Sequence, residues 1–295
     1  MSVHIETIRP PTDQSFRLLR WRDNLKDMEQ CDSGGRVTAL QGAGERWHVH
    51  REMELTLVER GSGLRVVGDN IARFSGPELV LLGPHLPHCW HGLRQSTGWA
   101  LQFHWPLEHP LRAVPEFAPL ERLWQSARRG LLCGTPVRER IAPRLADLAA
   151  LSAPARLGVL WQVLAELAAA PSDQMRELSV ADFSVREGAR HQPGIERVIR
   201  RVLEHYAEPQ PLAAILSVAG MSKASFARQF PRYTGCTFTE FLSRVRLDHA
   251  RQRILTTDEP VGAIAFSVGF NHLSHFNRSY RQAFGHPPTR DREVS

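Results

Sequence analysis

Cysteine is scarce and scattered in this 295-residue chain: Cys31, Cys89, Cys133 and Cys236 form no CxxC pair. That spacing excludes a disulfide framework and a zinc knuckle, and leaves four reduced thiols as the expectation. Long apolar runs are missing as well. No stretch approaches the roughly 18 apolar residues that a membrane helix needs, and the most apolar one, 151–170, is broken by Arg156 and Glu166. The amino-terminal MSVHIETIRPPTDQ has no basic start followed by an apolar block, so neither export nor membrane attachment is expected and the location is read as cytoplasmic. Lysine is almost absent: of 37 basic residues only Lys26 and Lys223 are not arginine. No Walker-type glycine loop and no nucleophile elbow appears. With 42% apolar and 23% charged residues, the composition is that of an ordinary globular protein.

The charge is unevenly placed. Residues 193–295 hold 14 Lys and Arg against 9 Asp and Glu, and the rest of the chain is close to neutral with 23 against 22. A basic terminal domain on a neutral one suggests a nucleic-acid module joined to a sensor. The alternative is a solvated basic face.

Residues 36–105 carry short β-branched or leucine-rich runs, VTAL, ELTLV, LRVVG, ELVLL and WALQF, separated by turns bearing Gly or Pro. Such spacing predicts a sandwich or small barrel. Residues 116–170 change to helical periodicity, with Leu120, Leu123 and Trp124 and then Ile141, Leu145, Leu148 and Leu151. The polar stretch 171–192 reads as a linker.

From residue 193 the chain is helical and repeats itself. PLAAILSVAGMSKASFARQF (211–230) matches PVGAIAFSVGFNHLSHFNRSY (260–280), aligning Ile215 with Ile264, Gly220 with Gly269, Phe226 with Phe276, Arg228 with Arg278 and Gly235 with Gly285. Each copy has an apolar helix, a glycine turn and a second helix, capped by Ser222 in the first copy and by Asn271 in the second. This is the helix-turn-helix plan, placed at about 212–233 and about 260–284, whose second helix enters the major groove. Lys223, Ser225 and Arg228, with His272, Ser274, His275, Asn277 and Arg278, are the expected base- or phosphate-facing residues. Between the copies, Thr237 and Glu240 form a capping box that opens a long helix. A rigid helix there would hold the two units one groove turn, about 34 Å, apart.

These residues resemble the AraC/XylS family of bacterial transcription regulators. The resemblance covers the last ~100 residues and is carried by Ile264-Ala265, Val268-Gly269-Phe270, Ser274, Phe276, Arg278, Phe284-Gly285 and Pro288, with Arg246, Ala250 and Leu255 on the connecting helix. Two positions depart from it. Pro231 stands where a basic residue is usual, suggesting an early end or bend in the first recognition helix. Asp291 stands where an aromatic is usual, which questions the final packing contact.

Upstream, Gly42, His48, His50, Glu54 and Gly61 have the spacing of the first cupin motif, and 76–88 resembles the second, with His88 as the remaining ligand position. The second motif departs from the strict form by one inserted residue before Pro84, by His85 and by Gly92. On a strand, His48 and His50 share a face, and Glu54 follows on it. Two readings stay open for His48, His50, Glu54 and His88. One is a site for a divalent transition metal; the other is a hydrogen-bonding lining for a small polar effector such as a sugar, with Trp90 and His104 in contact. His85, His91 and His104 lie near enough in sequence to support either, and Trp47, Trp90 and Trp105 offer flat apolar walls.

The expected architecture is therefore multidomain. It comprises an N-terminal all-β cupin-like barrel (1–106), α-helices that the resemblance assigns to dimerisation (107–170), a linker (171–192), and a C-terminal all-α double helix-turn-helix domain (193–295). The resemblance implies a non-enzymatic, effector-controlled regulator of double-stranded DNA, more usually an activator acting with RNA polymerase, and a homodimer. The alternative is a metal-dependent cupin enzyme, a dioxygenase or isomerase, with an appended DNA-binding domain.

Overall fold

The computed structural model describes residues 8–41, 44–183 and 191–294. Two compact units emerge: Met1–Asn70 with Phe74–Ala189, and Arg190–Ser295 together with the short segment Ile71–Arg73. Gly42 of the first cupin-like motif and residues 184–190 of the expected linker lie outside the described residues.

The first unit is an antiparallel sheet of β1 (Phe16–Asp23), β2 (Asp27–Cys31), β3 (Val37–Gln41), β4 (Met53–Val67), β5 (Asn70–Ser75), β6 (Glu78–Leu82), β7 (His88–Phe103), β8 (Leu131–Cys133) and β9 (Met175–Glu177). The order is β3-β2-β1-β7-β4-β6-β8-β9, with β5 beside β4. Three helices follow or interleave: α1 (Ala118–Ala127), α2 (Thr135–Asp147) and α3 (Ala153–Ala169).

Strand alternation decides what each face does. Leu55 and Leu57 of β4, Leu79 and Leu81 of β6, Leu101 and Phe103 of β7, and Phe16 and Leu18 of β1 point one way and pack with α1–α3. The intervening residues, Glu54, Thr56, Ala100, Gln102 and Leu19, point the other way and line a cavity. The helical stripe Leu120, Leu123, Trp124, Ile141, Leu145 and Leu148 is spent on the sheet's apolar face. It therefore does not supply a dimer face.

Several sequence expectations change here. Strands begin before residue 36, because β1 and β2 precede it. ELTLV and LRVVG are not separate strands but parts of the 15-residue β4. The glycines between them do not turn the chain back; they allow register shifts against β7 between Val58 and Leu64. Gly61 has φ +117°, and a Cβ there would sit 2.7 Å from Ser96. The segment 171–183 is not wholly linker either. β9 pairs with β8, and Ser179 donates to the buried Asp69 carboxylate at 2.6 Å.

Arg156, which interrupts the apolar run, is fully buried. Its guanidinium donates to the carbonyls of Leu151, Cys31, Asp32 and Ala149 and to Gln14 Oε1, at 2.7–3.1 Å. A buried cation is tolerated where its donors are so fully used. The four cysteines are buried and form no disulfide.

The second unit is helical: α4 (Gln192–His205), α5 (Leu212–Ala219), α6 (Lys223–Thr234), α7 (Phe238–Thr256), α8 (Val261–Ser267), α9 (Leu273–Phe284) and α10 (Pro288–Val294). The capping box at Thr237 and Glu240 forms in both directions, and the Glu240 carboxyl, bonded by the Thr237 backbone and hydroxyl, is held below its ordinary value. Arg246 of α7 donates to the carbonyls of Tyr206 (2.7 Å) and Glu208 (3.0 Å), clamping the end of α4. Among the described residues no helix is long and apolar enough to cross a membrane.

Candidate functional site

Each helix-turn-helix turn is built as the repeat predicts, with one correction. Gly220 closes α5 in the left-handed region (φ +66°), and the Ser222 hydroxyl accepts from the Ser225 N–H at 3.2 Å as N-cap of α6. In the second copy Gly269 has φ +99°. The N-cap of α9, however, is His272 rather than Asn271, and it makes no side-chain capping bond. Pro231 neither ends nor truncates α6, which continues to Thr234; Gly235 then closes it, donating to the Pro231 carbonyl at 2.8 Å. Pro231 still forgoes its own backbone donor.

The buried sides of α6 and α9 are aromatic: Phe226, Phe230 and Tyr233 in one, Phe276 and Tyr280 in the other. Lys223 and Arg228 on α6, His272 at the entry to α9, and Ser274, His275, Asn277 and Arg278 on α9 are exposed, whereas Ser225 is half-buried. Beyond these, Arg232 is exposed on α6, and Arg281 and Gln282 are exposed on α9. Ser274, Asn277, Arg278, Arg281 and Gln282 follow an i, i+3, i+4, i+7, i+8 progression, a single polar stripe along α9. The 3.6-residue period was the signal that would have added the last two.

Asp291 replaces an aromatic contact with a polar one. It accepts from Tyr280 Oη at 2.5 Å and from Arg251 Nε at 2.9 Å, tying α10 to α9 and α7. Burial would raise the Asp291 carboxyl, but those hydrogen bonds outweigh it and hold it below its usual value.

In the first unit the structure brings His48, His50, Glu54 and His88 together, one ligand atom from each lying within 4.8 Å of the others. His50, Glu54 and His88 are buried; His48 is intermediate. The main chains of His48 and His88 bond to each other at 3.0 Å in both directions, which joins the two motif segments. Every ring has the same orientation. Nδ1 of His48 meets the Arg46 carbonyl at 2.6 Å, that of His50 the Glu52 carbonyl at 3.1 Å, and that of His88 the Leu86 carbonyl at 2.8 Å. A carbonyl can only accept, so Nδ1 carries the proton, and in a neutral ring Nε2 carries the lone pair.

Those Nε2 atoms face Glu54. His50 Nε2 lies 3.2 Å and His88 Nε2 3.8 Å from Glu54 Oε2, and His88 Nε2 is buried with no hydrogen-bond partner. Burial would raise the Glu54 carboxyl, yet the facing His50 and His88 rings, when protonated, outweigh it and hold Glu54 well below the carboxylate range. Burial, and then the neighbouring His88 and His50, push His48 down to about 3. Behind the cluster, Thr56 Oγ1 donates to Glu54 Oε1 at 2.5 Å and Gln102 Nε2 to Glu54 Oε2 at 2.8 Å. Arg17 in turn donates to Gln102 at 3.2 Å and to Gln30 at 2.8 Å. Thr56, Gln102 and Arg17 went unnoticed in the sequence, although strand alternation from Glu54 would have marked Thr56.

The other candidates sit elsewhere. Trp90 stands edge-on to His88, with ring centroids 5.9 Å apart, and its indole N–H donates to Glu78 at 3.1 Å. His104 meets the Arg51 carbonyl at 3.2 Å and is outside both the ligand cluster and the cavity lining. Trp105 is not a ligand wall. It is core, stacked with Trp124 and Trp161.

Residues 215–293 match the model of a helix-turn-helix domain. The HTH-type transcriptional activator RhaS of Pectobacterium carotovorum subsp. carotovorum is 22% identical over 244 residues, 82% of this chain and 85% of that one. RhaS of Escherichia fergusonii is 33% identical over 99 residues, 34% of this chain and 36% of that protein. Among solved structures, a probable AraC family transcriptional regulator from Rhodopseudomonas palustris is 29% identical with a TM-score of 0.33, covering 34% of this chain and 95% of its own. The DNA-binding domain of AdpA, solved with a target DNA, is 26% identical with a TM-score of 0.33, over 34% and 91%.

Proposed function

We infer that this chain, which carries an AraC-type helix-turn-helix domain, is a DNA-binding transcription regulator whose first unit senses an effector. One observation carries the DNA half. Two copies of the same turn each present a helix with an aromatic buried side and an exposed side of Arg, Asn, Ser, His and Lys, and arginines and amides of that kind address phosphates and base edges. The long helix α7 joins the copies, so both helices engage one face of a duplex, in successive major-groove segments.

The effector half rests on the buried cluster of His48, His50, Glu54 and His88 in a cupin-like sheet. Its donor set, three imidazoles and one carboxylate, fits a divalent transition metal, and the Nε2 of His88, buried without a hydrogen-bond partner 3.8 Å from Glu54, is placed to coordinate one. The two RhaS proteins named above are transcriptional activators, which supports activation for this chain; contact with RNA polymerase, a cytoplasmic location, a homodimer and a non-catalytic role for the cluster belong to the same reading.

Selection of bound sequences from a random duplex pool by the full-length protein tests the reading. A defined sequence bound far more tightly than bulk DNA is expected, with affinity lost in Arg228→Ala and Arg278→Ala while their thermal unfolding stays unchanged. Enrichment of no sequence, or unchanged affinity in both variants, would overturn it.

A further inference from the structure

We propose that the first unit carries a second ligand site, apart from the histidine cluster: a cleft that binds a small organic phosphate monoester. Arg22, Arg60 and Thr97 hold the phosphate, and Trp99 faces the organic ring. The proposal goes beyond the regulator reading and does not depend on it.

The site follows from strand alternation. On β1, Phe16, Leu18, Arg20 and Arg22 share one face. Phe16 and Leu18 are core beneath the helices, and the two arginines carry that face past the leucines. On β7 the same face runs from Phe103 and Leu101 to Trp99 and Thr97. Arg20 lies opposite Trp99, and Arg22 opposite Thr97.

On β4 simple alternation would take this face from Leu57 to Glu59 and turn Arg60 away. A bulge intervenes. Val58 pairs with Gly98 and Arg60 with Thr97, so Glu59 and Arg60 together oppose one residue of β7. Arg60 is thereby brought to the side of Arg22, while Glu59 reaches back to accept from Trp99 Nε1 at 3.1 Å. Arg22, Thr97 and Arg60 form a row across three strands. Two strand spacings, about 10 Å, separate the two arginine backbones, and the Thr97 hydroxyl stands between them.

The row lines a cleft of about 1360 Å³, well above the roughly 300 Å³ at which small-molecule pockets begin. Four arginines, Arg20, Arg22, Arg60 and Arg94, line it against two carboxylates, Asp23 and Glu59. Arg20 is paired with Glu29 at 2.6 Å. Among the described residues, the guanidinium groups of Arg22, Arg60 and Arg94 and the Thr97 hydroxyl have no hydrogen-bond or ion-pair partner. Backbone strain gathers at the same place. The described non-glycine residues in the left-handed region are Asp23 (φ +77°), His85 (φ +62°) and Gln95 (φ +46°), and Asp23 and Gln95 both line the cleft. Such conformations cluster at ligand clamps.

The donors select the ligand. Two guanidinium forks and one hydroxyl match the three oxygens of a phosphate monoester, whose double charge suits the positive lining. Trp99 is half-buried against the leucine core with its N–H held by Glu59, and so presents a fixed flat wall to a ring. Trp21, whose buried indole lines both this cleft and the cavity of the histidine cluster, stands between the two.

Isothermal titration calorimetry of the full-length protein in phosphate-free buffer tests the site, with phenyl phosphate as the probe. One saturable site per chain is expected, with inorganic phosphate and benzoate each bound several-fold more weakly. Arg22→Gln and Arg60→Gln should each weaken phenyl phosphate about tenfold or more, the loss of one charged hydrogen-bonding contact. Both positions are exposed, so both variants should unfold at the wild-type temperature. Trp99→Leu should weaken phenyl phosphate and leave inorganic phosphate unchanged. Arg122→Gln, at an exposed arginine of α1 outside the cleft, should change nothing. Absence of saturable binding, or an equal loss in Arg122→Gln, overturns the site. Benzoate bound as tightly as phenyl phosphate overturns the choice of phosphate, and inorganic phosphate bound as tightly overturns the ring contact. No DNA enters these titrations, so their failure and that of the regulator reading are distinguishable.

Discussion

Glu54 and Gln102 face each other in register across β4 and β7, and the Gln102 amide donates to the Glu54 carboxylate over 2.8 Å. The pair sits on the sheet face opposite the leucine core, so a buried anion is stabilised there by partners rather than by solvent. Gln102 also accepts from Arg17, which makes it the hinge of a charged chain running from β4 through β7 to β1.

Gln102→Leu is near-isosteric but removes both bonds. Glu54 and Arg17 each lose a buried partner, and leaving such groups unsatisfied costs about 1–3 kcal/mol. Urea unfolding of the chelator-treated protein should show that loss as a lower midpoint with an unchanged slope. A midpoint equal to wild type would mean that the amide contributes nothing to holding Glu54.

The aligned turn glycines are not equivalent. At Gly220 an added Cβ meets nothing nearer than 3.7 Å, whereas at Gly269 it would come within 2.7 Å of the Ala207 carbonyl and 2.8 Å of Arg246. Both need positive φ. Gly220→Ala should therefore cost only the left-handed penalty, about 1–2 kcal/mol. Gly269→Ala adds a clash with backbone and with the arginine that clamps α4, so its melting temperature should fall markedly further. Equal melting temperatures for the two variants would contradict the packing around Gly269.

The stripe on α9 extends past the residues singled out from sequence. Arg278→Ala and Arg281→Ala should each weaken operator binding by about 1–3 kcal/mol if they reach base edges. If either reaches only phosphate, binding should weaken on all sequences alike and the salt dependence of log K should drop by about one charge. Band-shift titrations on operator and scrambled DNA at several salt concentrations separate the cases. Full affinity in the Arg281 variant would confine the contact to the first two turns of the helix.

The helix-turn-helix repeat was legible because its rules are local. A turn glycine, a capping hydroxyl and an apolar period recur within about twenty residues, and Gly220, Ser222 and the Thr237–Glu240 box form as read. The cap at His272 escaped because Asn271, a better capping residue, stands beside it and only backbone angles decide between them. In the first unit the four residues were legible from their motif spacing, although His48 and His50 lie in the segment before β4, with His48 only in an isolated bridge to His88, and not on a strand. β1 was not, because its inward-facing Arg17 breaks the apolar pattern and is buried with partners, Gln30 and Gln102 among them, that lie outside β1. β8 and β9, at three residues each, carry too little pattern to be seen, and only long-range pairing defines them. β4 was divided in two because a glycine-rich run has the same composition whether it turns or bulges.

Asp291 supplies a pH test of the last helix. Tyr280 and Arg251 hold its folded pKa below the ordinary value, and His286 Nε2 lies 3.6 Å away. A depressed carboxylate contributes stability that is fully present above its unfolded pKa of about 3.9 and is lost as pH falls through the lower folded value. Asp291→Asn removes the charge at every pH. Arg251 is partly exposed, so its half of the gain is screened; the variant should be less stable than wild type by about 1 kcal/mol at pH 7. The gap should narrow as the pH falls below about 4, where wild type begins to lose its own charge. Unfolding free energies of both proteins across that range check the sign, and a gap that widens towards acid would place the stabilising form of Asp291 on the protonated side.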